Sequence, residues 1–187
     1  METRNQQSGF ALLMALIVVS VVVSIGLTVL DLTLKQLRLS TNSKDSETAF
    51  HAANAGLECA RYWRMAESDA MEAGNNISPT CFGAPAMTPI VTNLSGINAH
   101  VYEMQTTWGV STAQRCSQMT LLVISSDLLA TTTVSGMQGI IPGYPYGPTK
   151  DCEPGARCTL ISVRGYSRSC GEITARGTVQ REVLLEL

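Results

Sequence analysis

Six cysteines, at positions 59, 81, 116, 152, 158 and 170, carry the clearest chemistry in this 187-residue chain. Their spacing is wide and irregular, with no C-x-x-C pair. The two histidines, His51 and His100, stand away from any regular cysteine pair, so a zinc ribbon or thioredoxin-type centre is poorly supported and no metal is expected. An even set of cysteines, all beyond an N-terminal apolar segment, reads instead as up to three disulfides formed in an oxidising compartment. Spacing alone leaves their connectivity open. No Ser-His-Asp pattern, P-loop or G-x-G-x-x-G occurs and the carboxylates are scattered, so neither an enzyme nor a cofactor is expected. His51, inside a run of small residues, suits a surface or packing position.

These cysteines need a fold to hold them. Hydrophobic residues make up 45% of the chain and charged residues 15%, which excludes a disordered polymer. The net charge of −2 argues against a nucleic-acid partner, because neutralising phosphates takes clustered Lys and Arg. The length suits one ordinary domain plus an extra element. That element is plain: Phe10 to Leu30 runs twenty-one residues without a charge, between Arg4 and Asp31. At about 1.5 Å per residue this helix is about 30 Å long, the thickness of a bilayer core. Ser20, Ser24 and Thr28 are tolerable there because their hydroxyls can bond back to the preceding turn.

The helical pattern continues past the apolar run. Ala49, Ala52, Ala53, Gly56, Leu57 and Ala60 recur at three- and four-residue steps and share one face, with Lys44, Glu47, Glu58 and Arg61 mostly on others. No proline occurs before Pro79, so one helix over 10–66, about 85 Å long, is expected. A cleaved secretory signal would have a shorter core and a small-x-small site; a plain signal anchor fits the length.

The segment QSGFALLMALIVV, followed by AFHAANAGLE at 49–58, resembles the N-terminal third of PilX-type minor pilins of type IV pili. The resemblance implies a prepilin leader at 1–9, cut after Gly9 by a prepilin peptidase that then methylates Phe10. It also implies a stalk that is membrane-embedded at 10–30 and packs its small residues onto a head. Most type IV pilins carry glutamate as the fifth mature residue; here that position is Met14. The omission is shared with tip-located relatives and implies a subunit that primes assembly and sits at or near the filament tip. A pinned variable loop is a feature of such heads.

The head is expected over 67–187. Strand-like runs occur at 100–105, 119–125, 129–134, 159–166 and 174–187, with a turn at 169–172 between the last two. The sum is an α+β fold: a long N-terminal helix packed on a small antiparallel sheet. Residues 135–157 hold four prolines and five glycines, so they read as a loop, with Tyr144 and Tyr146 as exposed aromatics. A disulfide from Cys152 or Cys158 to Cys170 would pin it, and Cys59 on the helix would pair with Cys81.

The resulting expectation is a structural subunit, single-pass in the inner membrane with its head in the periplasm, then part of an extracellular pilus. Its partners would be other minor pilins, the major pilin and the prepilin peptidase. A type II secretion pseudopilin is the near alternative. A signal-anchored periplasmic module for binding or cell adhesion is the distant one.

Overall fold

The computed structural model describes residues 6–111 and 113–187. With no proline to interrupt it, the first element is a single helix, α1 (Gln6–Ala66), of 61 residues. Its packing divides the chain into two compact units, residues up to Lys44 and residues Asp45–Leu187. In the first unit every described side chain from Phe10 to Lys44 is exposed. The hydroxyls of Ser20 and Thr28 donate to the carbonyls of Ile17 and Ile25, each at 2.8 Å, which spares them a bare polar group on an apolar surface.

The second unit is the head, and it includes the last turns of α1. A one-turn helix, α2 (Ser68–Glu72), follows. The main sheet contains β1 (Ile90–Asn93), β2 (Ala99–Trp108), β3 (Arg115–Ser125), β6 (Arg157–Tyr166) and β7 (Gln180–Glu186). Their order is β1-β2-β3-β6-β7, and every pairing is antiparallel. A second sheet pairs β4 (Thr132–Ser135) with β5 (Thr149–Cys152), and the short helix α3 (Met137–Ile140) lies between them in sequence. The fold is α+β, a long apolar helix packed on a five-stranded antiparallel sheet and tied by three disulfides.

Both faces of the main sheet are covered, which explains a sequence feature. The runs Leu121–Ile124 and Leu160–Val163 are apolar or buried at consecutive positions, whereas a sheet with one wet face alternates. Met119, Leu121, Val123, Ile161 and Val163 join Ala60 and Met71 in one core cluster. Leu122, Ile124 and Leu160 join Val134, Met137, Ile141 and Tyr144 in another. The molecule's second unit therefore has three layers: helix, main sheet and the β4–α3–β5 cover.

That cover corrects the expected loop at 135–157. Proline and glycine do punctuate it, but Met137, Ile141, Tyr144 and Cys152 are buried and pack with the sheet residues Leu122 and Leu160. Tyr144 is 3% exposed, so of these two tyrosines Tyr146, at 70%, is the exposed one. The strand expected at 174–187 begins at Gln180, and the turn at 169–172 is a 3-10 turn within a longer connection. β1, four residues after Pro89, lacks any run long enough to show alternation.

Candidate functional site

The residues singled out for processing lie at the start of α1. The leader expected at 1–9 falls in part on residues 1–5, outside the described residues. Gly9 and Phe10 are both within the helix, and Phe10 is exposed, as is Met14. Among the described residues, α1 is the one helix long and apolar enough to cross a membrane.

The small-residue stripe sits where α1 meets the sheet. Ala49, Ala52, Ala53 and Ala60 are buried to within 1% exposure, Gly56 is buried and Leu57 is half-buried. Facing them is Gly165 of β6. A Cβ there would overlap the backbone of Ala49 and Ala53 and stand 2.8 Å from the carbonyl carbon of Ala52, so helix and strand backbones touch. A Cβ on Gly56 would likewise have met the Val163 side chain at 2.8 Å, and the alanine side chains leave room for this approach. Ser117 fixes the register: its hydroxyl donates to the Ala52 carbonyl at 2.7 Å and accepts the Trp108 indole N–H at 3.0 Å. Arg181, out of pattern on an otherwise apolar strand face, donates to the Ser46 hydroxyl.

The far end of the helix is held by charge. Arg64 is buried; its Nη2 lies 2.8 Å from Glu72 Oε1 and its Nε donates to Thr159 Oγ1 at 2.9 Å. Arg157 reaches the other Glu72 oxygen at 3.2 Å. Trp63 donates its indole N–H to the Thr80 carbonyl at 2.9 Å. Arg64 and Trp63 therefore fasten the helix to the head. His51 is exposed and lies 3.7 Å from Glu47.

The disulfides pair Cys59 with Cys81, Cys116 with Cys170, and Cys152 with Cys158. A bond from Cys152 or Cys158 to Cys170 is excluded, because the two groups sit at opposite ends of β6: Cys158 opens it and Cys170 follows it. Cys116 is opposite Tyr166 in the sheet, so the thiol nearest Cys170 comes from β3. Cys152–Cys158 instead closes the turn joining the cover to the sheet.

Some contacts were invisible in the sequence. Glu186 binds Lys150 at 2.7 Å and accepts the Tyr144 hydroxyl at 3.0 Å, joining the cover to β7. Burial acts to raise the Glu186 carboxyl, but hydrogen bonds from Lys150 and Tyr144 outweigh it and hold the group below its usual value. Burial and the bond to Glu186 push Tyr144 up to about 12. Burial likewise raises Tyr102, whose hydroxyl donates to the Asn75 carbonyl at 2.9 Å. An open groove of about 740 Å³ lies on the polar half of the cover-side face, along Glu103, Gln105, Gln118 and Arg164. Phe82, with φ +56°, rests against Trp108 beside Cys81. Among the described residues, no group of three or more His, Cys, Asp or Glu is placed to hold a metal ion.

No protein-family model, no curated protein and no solved structure matches this chain. What the geometry itself shows is a pilin-like architecture: an exposed apolar helix that continues, through small residues, into the core of a disulfide-tied antiparallel head.

Proposed function

We propose that this pilin-like chain is a structural minor pilin of the PilX type, which primes assembly of a type IV pilus and sits at or near its tip. One observation carries the reading. A single unbroken helix is exposed and apolar over its first part, then buries Ala49, Ala52 and Ala53 against a sheet glycine. A plain anchor has no need of helical continuity between membrane and domain, whereas a subunit drawn from lipid into a filament exchanges one apolar environment for another along one continuous helix.

On this reading the inner membrane holds the chain before assembly, and the prepilin peptidase, the major pilin and other minor pilins are its partners. Met14 replaces a carboxylate that would be costly in lipid unless paired with the amine of a neighbouring subunit. Its loss removes that contact and favours a place at the tip. The same features suit a type II secretion pseudopilin.

Filaments sheared from cells and separated from membranes test the assignment. The chain is expected in the filament fraction at low abundance, labelled at filament ends. Confinement to the membrane fraction would contradict it. Met14→Glu is expected to shift the label from the ends into the shaft; unchanged end labelling removes the argument from Met14.

A further inference from the structure

The two ends of the head differ in charge and shape. At the end beside helix residues 60–66, the β3–β4 connection carries Leu128 and Leu129, 84% and 96% exposed. This tip is fastened. Gly155 N–H donates to the Asp127 carbonyl at 2.7 Å, Ser126 N–H to the Ala156 carbonyl at 3.0 Å, and the Ser126 hydroxyl to the Ala130 carbonyl at 2.7 Å. Cys152–Cys158 closes the neighbouring turn. A tip ordered in advance loses little freedom on docking. The acids flanking it in sequence are Asp127 and Glu153, and the nearby Arg157 is held by Glu72.

The other end, beside helix residues 49–53, is basic. Arg115 opens β3, and Arg168 and Arg176 stand on the β6–β7 connection with Glu172 the acid among them. A recess of about 200 Å³ runs between Arg115 and Arg168, and Val110 beside it is 69% exposed. None of the ion pairs seen among the described residues involves Asp127, Glu153, Arg115, Arg168 or Arg176.

We propose that the heads associate end to end with a second copy of this chain, the Leu128–Leu129 tip of one docking on the Arg115–Arg168 end of the next. Complementary charge selects this occupant: the acidic flanks disfavour an anionic lipid surface, and the arginines that match them are on the same molecule. Two leucines meeting Val110 supply apolar area, and the carboxylates set the orientation. The contact joins unlike patches, one from each copy, and so differs from a symmetric pair. It rests on the head alone and stands whether or not the chain is processed as a pilin.

The test uses the full chain in detergent, one chain per micelle, with the photoreactive residue p-benzoylphenylalanine in place of Leu129. The expected product is a chain–chain adduct mapping to Val110, Arg115 or residues 167–177, and weakened by salt. Arg115→Glu with Arg168→Glu should reduce the adduct about tenfold, and adding Asp127→Arg with Glu153→Arg should restore it. The neutral pair Arg115→Gln and Arg168→Gln gives a smaller loss in the same direction should the reversed variant unfold. Adducts to detergent, to another Leu129 or to the apolar helix overturn the proposal. So does a swap that fails to restore the adduct, or crosslinking in cells to an unlike protein alone.

Discussion

The two parts of α1 are continuous in backbone and opposite in burial. From Phe10 to Lys44 every described side chain is exposed, while from Ala49 to Ala60 the stripe is buried almost completely. The difference lies in side-chain size. Leucine, valine and isoleucine over 12–30 present apolar area to any surrounding solvent that accepts it, and lipid does. Alanine and glycine present little area but admit another backbone, which is what Gly165 meets. The first part is built for an environment and the second for one partner.

The largest break in that contrast is Gly165→Leu. Its side chain would have to displace the α1 backbone at Ala49–Ala53, and the head is expected to lose its cooperative thermal transition. Next is Glu72→Ala, which strands the buried Arg64 guanidinium and should cost about 3 kcal/mol by denaturant unfolding.

The disulfides rank by the loop each closes. Removing Cys116–Cys170, whose partners are 54 positions apart, should cost about 4 kcal/mol. Removing Cys59–Cys81, at 22, should cost about 3, and Cys152–Cys158, at 6, about 2. A reversed order would place the effect in packing and not in loop closure.

Glu186 and Tyr144 give a smaller, pH-dependent effect. Glu186 is held low in the folded head, so its contribution is present above the unfolded carboxylate value and fades as pH falls through the folded one. Tyr144 is held high, so its contribution is full below pH 10 and fades as pH rises through about 12. Tyr144→Phe should flatten the alkaline arm of a stability–pH profile and weaken the acid one, because Glu186 loses a donor. The smallest effect is Leu16→Ala, which should leave the head's melting temperature unchanged, since Leu16 is exposed and touches no core.

The helix, its small-residue stripe and most of the central strands were legible in the sequence because each rests on local periodicity. The second layer was not. Prolines and glycines over 135–157 announce turns, and they mask Met137, Ile141 and Tyr144, whose burial depends on a sheet face formed by distant strands. A signal was present in Leu121–Ile124, since consecutive buried residues require two covers. The pairing of Cys170 with Cys116 was hidden for the same reason: antiparallel register across β3 and β6, not spacing, brings them together.

The central claim is that the exposed apolar helix is a processed stalk and more than an anchor. Intact-mass measurement of the protein recovered from cells that hold a prepilin peptidase addresses it most directly. The account predicts a chain beginning at Phe10, lacking residues 1–9 and carrying one added methyl group on its new N-terminus. A chain that retains its leader in the presence of active peptidase would contradict it.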